Sequence, residues 1–172
     1  MFQQKTNLTY ETVHPYRVAE SCMTKAPQGL ICGKEAVTML GGFGEASVLL
    51  DFDAEIVGGL EVVLSCTAPT KVYIGYEEEP ELAKRRDNVV CTWYNLVKDE
   101  YELEAGEHIL VSEGRRGYRY VYLCVISEED VTIKEVRAIN GTWDVQEKGF
   151  FRCSEDRLNR IRDIYMATAN AC

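Results

Sequence analysis

Between Ala46 and Ile139 apolar residues return at every second position in run after run. In "ASVLLDFD" Val48, Leu50 and Phe52 share one face, in "LEVVLSC" Leu60, Val62, Leu64 and Cys66 do, and in "TKVYIGY" Val72, Ile74 and Tyr76 do. A period of two is that of a strand with one side turned to a core. Further runs follow at "VVCTWYNL", "EHILVS", "YRYVYLCVI" and "VTIKEVRAI". Gly58-Gly59 and Ala68-Pro69 read as turns between neighbouring strands, and the acidic stretches "YEEEPE" and "SEEDV" as loops. In "VTIKEVRAI" Val131 and Ile133 fall on one face but Val136 and Ala138 on the other, which predicts a β-bulge near Lys134-Glu135. Six or seven strands with no helix between them predict a mainly β fold, an antiparallel β-sandwich of jelly-roll-like type. Ahead of them, "YETVHPYRVAESC" reads as an edge strand broken by Pro15 and "LGGFGE" as a loop, while Asn140-Gly141 reads as a turn.

After Phe151 the period changes. Ser154 is placed as an N-cap, with Glu155 and Asp156 in the first turn where the helix dipole favours negative charge. Leu158, Ile161, Tyr165, Thr168 and Cys172 then recur at helical spacing, and Ile164 and Ala169 widen the stripe, so a partner surface is expected against that face. No Gly, Pro or cationic last turn closes this helix, so either it frays into solvent or it opens a longer helical unit, the reading that its sequence favours. The organisation read from the pattern is a segment 1–45 belonging to the sandwich, a sandwich core 46–142, a connector 143–153 and the capped helix 154–172.

Composition narrows the function. A hydrophobic content of 46% over 172 residues suits a globular core, and a net charge of −9 argues against a nucleic-acid footprint, which needs a basic face. The seven cysteines form no CxxC pair, and several lie inside apolar runs. They read as reduced, structural thiols in a cytoplasmic setting. No segment approaches the roughly 18 apolar residues that a membrane helix needs.

Candidate chemistry is thin. His14 and His108 have no second histidine at ligand spacing, so no metal site is assigned, and no cofactor motif appears: Gly41 to Glu45 lacks the spacing of a phosphate loop. Glu77, Glu78 and Glu79 could supply a carboxylate pair but read more simply as a solvated loop before Pro80. Cys153 has no histidine near it in sequence to make a nucleophile. Trp93, Tyr94, Tyr73 and Tyr76 are the candidates for stacking on carbohydrate rings, with Asn95, Lys98 and Asp99 as polar flanks; Tyr118, Tyr120 and Tyr122 could join them. Cross-strand packing is the simpler role for alternating tyrosines.

Three segments together resemble the β-sandwich that precedes the catalytic barrel of bacterial α-L-rhamnosidase-type glycoside hydrolases. "LLDFDAEIVGGLEVVLS" with "TKVYIGYEEE" is similar to that family's strand, double-glycine and strand pattern. "RRGYRYVYL" resembles its aromatic strand, with Tyr118 in place of the usual Phe. "GFFRCSEDRLNRIRDIYMATANAC" looks like the connector and first helix leading into the (α/α)₆ barrel, through Cys153-Ser154 and Leu158-Asn159-Arg160-Ile161. Asp53 stands where the family commonly shows Gly. The resemblance implies that the acid and base carboxylates lie in the barrel, so that no residue here inherits a catalytic role. It also implies a missing barrel of the same polypeptide as partner, covering Leu158, Ile161, Tyr165 and Thr168; without it, that face is expected to pair with a second copy or pack on the sandwich. The expected function is a non-catalytic module that braces the barrel and contacts carbohydrate, and the alternative is a standalone carbohydrate-binding module.

Overall fold

The computed structural model describes residues 8–33, 35–85, 98–112, 114–143 and 148–171. The chain runs β1 (Leu8–Val13), β2 (Arg17–Cys22), β3 (Thr24–Lys25), a 3₁₀ segment (Pro27–Gly33), β4 (Val37–Met39), β5 (Glu45–Cys66), β6 (Thr70–Glu77), α1 (Pro80–Ala83), β7 (Lys98–Leu103), β8 (Gly106–Val111), β9 (Arg116–Ser127), β10 (Val131–Trp143) and α2 (Asp156–Ala171). All the strand pairings are antiparallel. The architecture is the expected antiparallel β-sandwich with a C-terminal helix. The run "VVCTWYNL" lies outside the described residues.

Strand β5, 22 residues long, belongs to both layers. Its first part, Glu45 to Asp51, lies between β2 and β9, and β6 and β7 continue that layer beyond β9. Its second part pairs with β10 from Gly58 to Cys66 and with β8 from Glu61 to Cys66, and β10 also carries β1 and β4. Gly58-Gly59 is therefore not a turn. A Cβ on Gly58 would sit 1.9 Å from the Ile139 carbonyl oxygen, so glycine serves there for close approach of two backbones. The change of direction comes earlier, at Asp53–Glu55, where the register with β9 shifts between Asp51 and Ile56 and Asp53 adopts φ 68°. Ala68-Pro69 does form the connection between β5 and β6.

Asn140-Gly141 is likewise strand, not turn. The Asn140 side chain is spent inside the sheet: Oδ1 accepts the Val57 N–H at 2.9 Å and Nδ2 donates to Glu11 at 3.0 Å. The bulge at Lys134-Glu135 is present as a register shift between Ile133 and Glu135. Pro15 breaks the N-terminal segment as expected, and the break moves the chain from one layer to the other: β1 pairs with β10, β2 with β5.

The core lies between the layers, where Val48, Leu50, Phe52, Leu60, Val62 and Leu64 of β5 meet Val121, Leu123 and Val125 of β9 and Ile133, Val136 and Ala138 of β10. Burying each large aliphatic side chain contributes about 1.5–3 kcal/mol. Ala46 to Phe52 is buried at every position, so the strict one-face reading of that run is incomplete. Leu49 and Cys124 are buried outside the main cluster, on the far side of the first layer where Ala83 of α1 also lies. A Cβ on Gly75 would meet the Ala83 carbonyl oxygen at 2.0 Å, which is how α1 comes so close to β6.

Candidate functional site

The helix that the pattern singled out begins at Asp156, and its cap is Glu155 in place of Ser154. The Glu155 carbonyl accepts the N–H groups of Leu158 (3.1 Å) and Asn159 (3.2 Å), and its carboxylate accepts the Arg157 N–H at 3.3 Å. Asn159 sets this start: its Oδ1 accepts the Cys153 N–H at 3.0 Å and its Nδ2 donates to the Cys153 carbonyl at 2.8 Å. This two-point clasp folds the connector back on the first turn.

The apolar stripe of α2 is not covered by the described sandwich. Leu158 is 49% exposed, Ile161 54%, Ile164 59% and Tyr165 69%, and Phe150 and Phe151 beside them are exposed too. Thr168 is exposed, its hydroxyl donating to the Ile164 carbonyl at 3.0 Å. The Arg162 guanidinium lies 5.8 Å from the centre of the Phe150 ring, which orients the connector along the helix.

The aromatic candidates do not gather on one surface. Trp93 and Tyr94, with the flanking Asn95, lie outside the described residues. Tyr73 is half-buried on β6, facing away from the core. Tyr76 is buried: its hydroxyl donates to Asp99 Oδ2 at 2.8 Å, its ring stands edge-on to Tyr118 at 5.3 Å and the Arg116 guanidinium lies 4.6 Å above it. Burial pushes the Tyr76 hydroxyl far above the ordinary tyrosine value, with the Asp99 charge and hydrogen bond adding to the effect. Arg116 in turn grips both oxygens of Asp99, at 2.6 and 3.0 Å. Tyr76 has no ring face left for a sugar. Tyr118 also belongs to the core, its hydroxyl donating to the Gly59 carbonyl at 2.9 Å, whereas Tyr120 and Tyr122 are half-buried.

The most organised polar group was not anticipated. Asp51 is fully buried, yet its carboxylate is ionised and shared. Oδ1 accepts Arg119 Nε at 2.9 Å and the Asp53 N–H at 2.8 Å; Oδ2 accepts Arg17 Nε at 2.9 Å and Arg119 Nη2 at 3.2 Å. Burial pushes this carboxyl up, but the hydrogen bonds from Arg119, the Asp53 N–H and Arg17 together outweigh it and hold it at about 2. The group ties β2, β5 and β9 together at the bend. The available signal was a single charge set between Leu50 and Phe52 in an otherwise apolar run.

Other singled-out residues have local partners. His14 Nε2 meets Glu135 Oε1 at 3.0 Å, and Arg137 bridges Glu135 and Glu61. His108 Nε2 lies 2.8 Å from the Glu104 carbonyl. Glu77 is half-buried and its carboxyl is raised, first by burial and then by the charges of Glu78 and Glu79, against a backbone hydrogen bond that lowers it; Glu78 and Glu79 are exposed. Among the described residues no cluster of three His, Cys, Asp or Glu is placed to hold a metal, and no helix is long and apolar enough to cross a membrane. Cys66 and Cys124 are buried free thiols, as their apolar settings suggested, while Cys22 is exposed.

No family model matches the sequence, and no curated protein does. Solved structures do resemble it. A GH78 family rhamnosidase of Bacillus sp. GL1 matches 74% of this chain at 29% identity, with a TM-score of 0.58. A rhamnosidase from Klebsiella oxytoca, solved with rhamnose bound, matches 96% at 15% identity, with a TM-score of 0.69. The chain spans 13% of the first enzyme and 35% of the second. A family 32 carbohydrate-binding module from C. perfringens NanJ, solved with galactose, overlaps 78% of this chain and 94% of its own at 8% identity and a TM-score of 0.43. The likeness to rhamnosidases supports a carbohydrate-related β-domain.

Proposed function

We propose that this chain is a non-catalytic β-sandwich module of an α-L-rhamnosidase-like glycoside hydrolase, and that it braces a helical catalytic barrel through α2 and the connector before it. The observation that carries the reading is the exposed apolar stripe of Leu158, Ile161, Ile164 and Tyr165; Phe150 and Phe151 of the connector are exposed as well. A helix that buried this stripe on its own sandwich would need no partner. One that presents it to solvent exposes the kind of contiguous apolar patch that marks an interaction surface. The relatives' greater length accommodates a barrel beyond the matched region. The alternative of a standalone module stacking sugars on an aromatic platform has weaker support, because Tyr76 is buried.

The test compares the 172-residue chain with a form ending at Phe151, by size-exclusion chromatography with light scattering and by thermal melting. Self-association of the full chain that disappears on truncation, with the sandwich still folding, is the expected result. A monomeric full chain, or association and stability unchanged by truncation, would overturn the interface.

A further inference from the structure

We propose, resting on the reading that α2 braces a helical barrel, that the barrel face it docks on carries a carboxylate opposite Arg157. A charge pair at the start of the helix then sets how the sandwich meets its partner. Charge is placed unevenly along the chain. Residues 148–172 carry five Lys and Arg against three Asp and Glu, whereas residues 1–147 carry 14 against 25. The sandwich is strongly acidic and its docking element is basic.

Within α2 the cations stand at the end where the helix itself disfavours them. A helix dipole stabilises negative charge in the first turn and positive charge in the last. Arg157 lies in the first turn, Arg160 follows one turn on, and the last turn holds no basic residue. The two arginines also stand at i, i+3, where like charges repel. Local stability argues against this arrangement, and such conflicts mark positions kept for another purpose.

The helical period puts Arg157 on the apolar stripe. Arg157, Ile161, Ile164 and Thr168 follow at i, i+4, i+7 and i+11, a single line of side chains, and all four are exposed. A partner that covers the stripe therefore covers Arg157. No carboxylate among the described residues pairs with its guanidinium: Glu155 accepts only the backbone N–H, and Asp163 is taken by Arg162 at 3.2 Å. A guanidinium enclosed without a counter-charge is costly, so the covering face has to supply one.

A second copy of α2 supplies none. The stripe it offers is Leu158, Ile161, Ile164, Tyr165 and Thr168, and pairing side by side in the same direction sets Arg157 against Arg157. Two copies can still join through their apolar residues, but no charge pair guides them. A lipid surface fits less well than a protein face, since α2 carries three arginines against two aspartates.

Two labelled peptides of about 20 residues test the pair by fluorescence anisotropy, both amphipathic helices with a leucine stripe, flanked by Glu in one and by Gln in the other. The full chain should bind the Glu peptide about 5-fold more tightly at low salt, and the preference should vanish at about 0.5 M salt. Because the chain as a whole is negative, long-range attraction favours the Gln peptide, so a preference for Glu has a local origin. The Arg157→Gln variant, changed at an exposed position, should bind both peptides without the preference. Equal binding of the two peptides by the full chain, abolished in a form ending at Phe151, would overturn the charge pair and leave the bracing face intact. Binding of neither peptide, a preference that survives Arg157→Gln, or α2-dependent binding to phosphatidylglycerol vesicles with no preference between the peptides would overturn it as well.

Discussion

Replacing Asp51 by Asn should expose how much of the fold rests on one ionised group. The carboxyl is held at about 2 in the folded chain against an ordinary value of 3.8. That difference corresponds to about 2.4 kcal/mol of stability at neutral pH. Because the folded value is depressed, the contribution is complete above the ordinary value and decays as pH falls through the folded one. About 1 kcal/mol of it is already gone at pH 3. Asn cannot carry the charge and turns an N–H toward two guanidiniums, so the whole cost at pH 7 should reach about 3–5 kcal/mol, as for other broken buried pairs. Urea denaturation followed by far-ultraviolet circular dichroism measures it. With a slope of about 2 kcal/mol per molar, the midpoint should fall by roughly 2 M at pH 7. The decisive quantity is the gap between wild type and variant, which cancels the other carboxylates and should narrow by about 1 kcal/mol between pH 7 and pH 3. A gap of the same size at both pH values, or a variant as stable as wild type at pH 7, would refute the account of Asp51 as an ionised clamp.

Two backbone predictions follow from the same strand. Gly58→Ala would force a Cβ to within 1.9 Å of the Ile139 carbonyl, and parting β5 from β10 should cost about 1–3 kcal/mol, seen as a lowered melting temperature. Gly59→Ala, whose nearest neighbour is the Ser112 hydroxyl at 3.2 Å, should cost clearly less; equal losses would mean that close approach is not what Gly58 provides. Asp53→Gly should raise stability by up to about 1 kcal/mol, because the φ of 68° is one that glycine adopts freely; a loss in chemical denaturation would show that the Asp53 side chain matters more than its backbone.

Much of the sandwich was legible because a two-residue period runs through long parts of the central strands, as at Leu60, Val62 and Leu64 of β5 and Val72 and Ile74 of β6. The bulge in β10 was legible for the same reason: Val131 and Ile133 are out of phase with Val136 and Ala138, and only an extra residue reconciles them with one core. Glycine pairs were misread because composition does not distinguish reversal from close approach. Gly58-Gly59 and Asn140-Gly141 both carry turn chemistry, yet each lies within a strand, where the missing side chain of Gly58 admits a neighbouring backbone and the Asn140 amide links a strand to Glu11. The burial of Asp51 within the continuous run Ala46 to Phe52 goes with Arg17 and Arg119, which come from other strands and which no local period announces. The cap moved from Ser154 to Glu155 through a clasp six residues long, again beyond what a four-residue capping rule inspects.

Asp53 joins these strands of reasoning. Its backbone is left-handed, a conformation that glycine adopts freely, at the bend that carries β5 from one layer to the other. Asp tolerates that conformation better than most residues with a side chain. The bend also aims the Asp53 N–H at Asp51 Oδ1, and that hydrogen bond helps keep Asp51 ionised inside the fold. An ionised Asp51 is what allows Arg17 and Arg119 to stand together at the surface in spite of their like charge. A demand made by topology, that one strand serve two layers, thus ends as a property of the surface. The arginine pair should persist where the bend and the buried carboxylate persist together, and it should lose its arrangement when either is removed.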